Sequence, residues 1–208
     1  MKSIITVTLF FICVSAFGQN THAEFDGSKW VPPYMLDIPK GWDVERFLLP
    51  IDFAPQIQYK GVEDIRFAPG WGDSTSSEYW SYSFLWYMEG RPEINADIIA
   101  SNLQYYYKGL IGRNIEKRNI PADKIFTPKT AFEKIKTSVD DKETFQGTIY
   151  MLDYMQQKPV TLNAIVHLKA CETVKDKTFV FYEISPKPLT DDVWKKLDNL
   201  CTSFKCNK

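Results

Sequence analysis

Histidine is scarce in this chain, and cysteine is nearly so. There are two histidines, His22 and His167, and four cysteines, Cys13, Cys171, Cys201 and Cys206. Zinc sites read from sequence need several His and Cys ligands at short, regular spacing, and no such run exists here. His167 and Cys171 would share a strand face, but four residues of strand span roughly 13 Å, too far for one chelate. His167 therefore reads as a polar residue on an outward strand face, and neither a metal nor another cofactor is expected. A Gly-x-Ser-x-Gly nucleophile elbow and a phosphate-binding glycine loop are also missing. The net charge of −1 offers no general attraction to nucleic acid. After the first 17 residues no apolar run is long enough to cross a bilayer as a helix.

What is present begins with an address. Lys2 precedes a nearly unbroken apolar stretch, Ile4 to Phe17, and Ala16 and Gly18 occupy the −3 and −1 positions of a cut before Gln19. Residues 1–18 thus read as a signal peptide, which implies a secreted or periplasmic protein. Phe10, Phe11 and Ile12 precede Cys13, where a lipoprotein signal wants a small residue. Residues 19–34 read as a flexible N-terminal arm closed by Pro32-Pro33, and 35–208 as a single domain. Apolar content of 44% and aromatic content of 15% argue for a packed core over a disordered chain.

The chain is organised around Glu78 to Met88. Every even position from Trp80 to Met88 is large and aromatic or apolar, and a period of two marks a strand with one heavily loaded face. Val62 to Ala68 should pair with it as a hairpin across the loop Pro69 to Ser77. Shorter extended pieces are expected at Val44 to Leu49 and Ile51 to Pro55. Asn95 reads as an N-cap, with Asp97 in the first turn. Ile99, Leu103, Tyr106 and Leu110 then form one stripe of a helix that Gly112 ends. Strands follow at Ala131 to Lys136, Phe145 to Met155, Val160 to Cys171 and Thr178 to Ile184. Thr190-Asp191-Asp192 opens a last helix whose stripe is Trp194, Leu197, Cys201 and Phe204. Runs of strands with two helices, without strict alternation, predict an α+β fold: an antiparallel sheet whose aromatic face lies under two main helices.

The turn Ile38-Pro39-Lys40-Gly41-Trp42 at the start of the domain, the order of elements, and Ser203-Phe204 at the end of the last helix resemble the PsbP-like fold over about residues 35 to 205. That fold serves photosystem accessory proteins, a nuclear-import factor and many secreted bacterial proteins. It has no common active site, so the resemblance implies an accessory or binding module. It assigns no role to the Trp71 loop or to the Tyr105-Tyr106-Tyr107 run.

The candidate binding residues come from the residues themselves. Trp71 stands in the loop Gly70-Trp71-Gly72-Asp73, where it either stacks on a sugar or partner or tucks back to staple the hairpin; the staple is preferred. Asp73 lies beside it and, with Glu78, could form an acid pair for glycoside hydrolysis, although loop solvation is the simpler reading. Ser74 with His167 is the weakest catalytic option. Three consecutive helical tyrosines sweep about 200°, so Tyr105 should face away from the stripe as an exposed aromatic. Residues 108–136 carry eight basic and three acidic side chains, and residues 62–97 seven acidic and two basic. Two solvated faces explain this imbalance, and a basic edge for an anionic partner is the functional alternative.

The last strand and last helix bring the C-terminus back toward the end of the strand that closes at Cys171. Cys201 belongs to the packed stripe, so the expected disulfide is Cys171–Cys206, with Cys171–Cys201 as runner-up. The functional expectation is a secreted, non-catalytic accessory or binding module for an unknown protein, envelope or glycan partner. The alternative is a hydrolase or lectin-like protein that acts on glycans through the Trp71 loop.

Overall fold

The computed structural model describes residues 25–171 and 174–206. The expected signal peptide, residues 1–18, lies outside the described residues. The fold is mixed α/β. In chain order its elements are β1 (Tyr34–Met35), β2 (Asp43–Leu49), β3 (Gly61–Phe67), β4 (Tyr82–Glu89), α1 (Ala96–Gly112), β5 (Lys129–Ile135), β6 (Asp141–Asp153), β7 (Lys158–Lys169), β8 (Lys177–Ser185), α2 (Asp192–Ser203) and β9 (Lys205–Cys206). Seven strands form one antiparallel sheet in the order β2-β3-β4-β8-β7-β6-β5, and β1 pairs with β9 in a separate two-stranded ribbon.

The two halves of the sheet grow outward from β4 and β8, which pair from Tyr82↔Ile184 to Glu89↔Lys177. Both strands carry apolar side chains on both faces. Tyr82, Phe84, Trp86 and Met88 share one hydrophobic cluster with Val180, Tyr182 and Ile184, and α1 adds Ile99, Leu103, Tyr106, Tyr107 and Ile111. Leu85, Phe179 and Phe181 belong to the second cluster, with Trp194, Leu197, Leu200 and Cys201 of α2. The helices therefore cover opposite faces instead of lying together over one. A strand that is apolar on both sides needs a layer on each, and α2 supplies the second.

The helix ends follow their sequence signals. Asn95 caps α1, its side chain accepting from the Ile98 amide at 2.9 Å, and Asp191 caps α2 by accepting from the Val193 amide. Gly109 lets the α1 backbone approach the Phe53 carbonyl so closely that an added Cβ would sit 1.8 Å from that oxygen. In the Pro39–Trp42 turn, Gly41 has φ +83° and the Trp42 amide donates to the Pro39 carbonyl at 3.1 Å. Only glycine adopts that φ without strain.

Three details differ from the sequence expectations. The central strand begins at Tyr82, not Glu78. Trp80 has φ +56° in a turn where the Ser81 amide donates to the Glu78 carbonyl, yet its side chain is still buried. Ile51 to Pro55 is not extended: the Ala54 amide bonds back to Ile51 and that of Ile57 to Ala54, giving successive turns. Of the segment 19–34 read as a free arm, the described part lies against the sheet. Trp30 packs on Tyr34 and Tyr87, and the buried Tyr34 hydroxyl donates to Asp64 at 3.0 Å.

The Cys171–Cys206 disulfide is present, with Cα atoms 5.9 Å apart, and Cys201 is a buried free thiol. No described helix is long and apolar enough to cross a membrane.

Candidate functional site

The aromatic face under α1 is not completely filled. A cavity of about 270 Å³ lies between the C-terminal end of α1 and the β2-β3-β4 half of the sheet, just under the size range usual for small-molecule sites. It exists because α1 packs mainly over β5 and β6. On the other half Tyr106 and Leu110 of α1 share the cover with the loop residues Phe53 and Trp71.

Trp71 forms one wall. Its ring stacks on Phe67 of β3 at 4.4 Å between centroids, and meets Trp80 edge-on at 6.2 Å. Trp80 in turn stands edge-on to Tyr154, 5.2 Å away. Phe53 packs edge-on against Tyr106 of α1 at 5.2 Å. Such tilted and offset pairs hold rings rigidly, so the walls are fixed in place. The Trp80 side chain is 1% exposed and lines the cavity with its ring. Its indole N–H is buried, with the Tyr79 hydroxyl as the polar group that acts on it.

Behind the lining residues Tyr82 and Tyr106 lies a buried polar layer that does not itself border the cavity. Tyr106 donates its hydroxyl to Glu63 Oε1 at 2.8 Å, and Trp86 Nε1 donates to Oε2 at 3.1 Å. Burial raises the Glu63 pKa to about 8, and the bonds from Tyr106 and Trp86 pull the other way without cancelling it. Glu63 is therefore mostly a neutral acid at pH 7. The Tyr82 and Tyr107 hydroxyls bond to each other. Burial, first of all, pushes Tyr82 and Tyr106 far above the ordinary phenol range, so neither supplies a phenolate.

The rim is charged. Arg113, Asn114 and Lys117, which follow α1, line the mouth opposite Glu45 of β2. The Arg113 guanidinium lies 5.1 Å from the Phe53 ring centre and 3.7 Å from Asp52 in an exposed pair, worth little in water. Asn114 is tied down by donating to the Leu110 carbonyl at 2.8 Å. The site combines a ring-lined chamber with a charged lip that carries Arg113, Lys117 and Glu45.

Of the residues picked from sequence, Trp71 alone borders this chamber. It is also the staple that was preferred for it. Asp73 is exposed and turns its own loop, accepting from the Thr75 amide and hydroxyl at 2.8 and 2.7 Å, bonds that lower its pKa. Glu78 is bound to Lys196 at 2.5 Å and accepts from the Gly70 amide, so the imagined acid pair is spent on loop structure. Tyr105 is 38% exposed, as its helical angle requires, and is not among the lining residues. His167 is not on an outward face. It is buried beneath α2, with its two nitrogens toward Asp141 and Glu183, so it does not serve Ser74. Phe47, Phe53, Trp80, Tyr82 and Tyr154 were missed because they converge from separate segments. The basic excess over residues 108–136 was the one available signal, and Arg113 and Lys117 belong to it.

No family model, no curated protein and no solved structure matches this chain.

Proposed function

We propose that the protein is an exported, non-catalytic binding module that takes a small amphipathic molecule, with a flat apolar body and an anionic group, into the α1 cavity. The carrying observation is the ring-lined chamber whose lining also includes Arg113 and Lys117. An aromatic or planar body suits rings held by Phe67, Trp71 and Tyr106. The anion would sit at the lip, where it keeps part of its hydration. The lining has no nucleophile beside a base, and its phenols stay protonated, which favours binding over catalysis. Export rests on the expected signal peptide and agrees with the disulfide. A PsbP-like topology is part of the same reading. It is supported by the Pro39–Trp42 turn, which buries Trp42, and by Phe204, which packs under the end of α2.

The test is a titration followed by tryptophan fluorescence and calorimetry. Indole-3-acetate, neutral indole and a short neutral oligosaccharide serve as probes. The arylcarboxylate should bind one per chain, at least tenfold more tightly than indole. Trp71→Ala, or Arg113→Gln with Lys117→Gln, should weaken it about tenfold or more, a loss of about 1.4 kcal/mol. Binding of the oligosaccharide alone, lost in Trp71→Ala, would replace this reading with the lectin-like one. Absence of binding by all three would overturn it.

A further inference from the structure

The opposite face of the sheet holds a group of ligand-type atoms that owes nothing to the cavity. His167 of β7, Glu183 of β8 and Cys201 of α2 place Nε2, a carboxylate oxygen and Sγ within 4.8 Å of one another. All three residues are closed off from solvent, at 4%, 1% and 2% exposed. His167 Nε2 and Glu183 Oε1 lie 3.2 Å apart but are not aligned as donor and acceptor, and both are left without a hydrogen-bond partner. Buried polar atoms seldom remain unpaired. Nε2, the carboxylate and Sγ lie within bonding reach of one another, so three ligand-type groups converge on one buried spot.

From this geometry we infer a zinc-type metal site formed by His167 Nε2, Glu183 Oε1 and Cys201 Sγ. Zinc accepts nitrogen, sulfur and carboxylate ligands together, at about 2.0–2.3 Å. A tetrahedral ion with such bonds holds its nitrogen and oxygen ligands roughly 3.3 Å apart, close to the separation observed. The surroundings also fit. Asp141 Oδ2 lies 2.7 Å from His167 Nδ1, the carboxylate–imidazole contact that fixes which nitrogen faces a metal. Asp141 is itself held by the Thr144 hydroxyl and by Lys169 Nζ, each at 2.7 Å. Lys169 Nζ also stands 3.8 Å from Cys201 Sγ, where its charge favours a thiolate. On binding, the proton on Cys201 Sγ and the one on His167 Nε2 leave, and lone pairs on sulfur and nitrogen form the new bonds. One divalent ion replaces two protons, so the charge of the group is unchanged. The three residues leave the fourth tetrahedral position to a water molecule, and because they come from β7, β8 and α2 the ion would be taken up as the chain folds.

The experiment uses the full chain, freed of metal by chelator and then titrated with Zn²⁺ or Co²⁺. One ion per chain by elemental analysis is expected, together with a near-ultraviolet sulfur-to-cobalt band and a higher melting temperature that a chelator reverses. Cys201→Ser should abolish the sulfur band, and His167→Gln should weaken binding at least tenfold. Cys171→Ser with Cys206→Ser should leave the band intact, which separates the site from the disulfide. To guard against variants that fail to fold, the wild-type Cys201 thiol is also followed with a thiol reagent during partial unfolding, where bound ion should slow its labelling. A chain that takes up no ion, or one whose cobalt spectrum lacks the sulfur band, would overturn the site and leave a closed ionic core.

Discussion

The two faces of the sheet solve the same burial problem differently. Under α1 the stabilisation is apolar, with aliphatic residues around a centre of stacked rings. Phe84 stacks on Tyr182 at 4.3 Å and on Tyr106 at 5.6 Å, and the carboxyl nearest that centre, Glu63, is kept mostly neutral at pH 7. Under α2 the apolar layer is smaller, and buried charges fill the remainder. Asp64 pairs with Arg46 at 2.7 Å and with Arg66, and accepts from Tyr34. Farther along the same face are Asp141, His167, Lys169 and Glu183. Truncation should therefore damage the first face most through lost volume, and the second through charges left unpaired. A cavity can persist under α1 because rigid rings span it. Under α2 an unfilled space would strand ions.

The largest expected effect is on the aromatic face. Trp86→Ala should cost about 3–5 kcal/mol in denaturant unfolding, since Trp86 is fully buried and its N–H also serves Glu63. Little change in the unfolding midpoint would mean that this face is not the main core. On the other face, Asp64→Ala should cost a similar 3–5 kcal/mol by leaving Arg66 buried without its partner. Replacing Asp64 and Arg66 together with apolar residues should recover most of that loss. If the double variant is as unstable as the single one, unpaired charge is not the cause.

Next comes the disulfide that pins β9 to the end of β7. Replacing Cys171 and Cys206 with serine frees a loop with sequence separation 35 and should cost roughly 3–4 kcal/mol. An unchanged midpoint under oxidising conditions would count against it. A subtler contrast is pH. Glu63 holds its proton up to about pH 8 in the fold but releases it near pH 4.5 when unfolded. Stability from this group is full below about pH 4.5 and is lost as pH rises toward 8, by roughly 1 kcal/mol per unit inside that window. Glu63→Gln should flatten that part of the stability–pH curve, and an unaltered slope would show that Glu63 is ionised in the fold. The smallest effect belongs to the α1 cap: Asn95→Ala should cost about 1 kcal/mol, read from the same unfolding curves.

Much of this fold is legible in local patterns. Alternation gave the strands, and spacing of three and four gave both helices, with the cap Asn95 and the opening Thr190-Asp191-Asp192. The return of the chain placed Cys206 beside Cys171. What was not legible depended on which side of the sheet an element falls. The pattern of α2 says that one stripe is buried, but not against which face. For the same reason His167, read as a polar residue on an outward strand face, proved to be covered. The site was less readable still. Trp71 announced itself through its flanking glycines. Trp80 looked like one more residue of the central strand, and its place in a turn at φ +56° is something alternation cannot reveal. Phe47, Phe53 and Tyr154 meet only after the sheet has twisted and α1 has docked.

The contact of Gly109 with the Phe53 carbonyl bears on how the chamber can change. A methyl added at residue 109 would meet that carbonyl at 1.8 Å, so the end of α1 sits as near the Phe53 segment as main chain allows. Gly109→Ala should push the Phe53 segment outward, and since the Phe53 ring lines the cavity, a change outside the cavity would alter its shape.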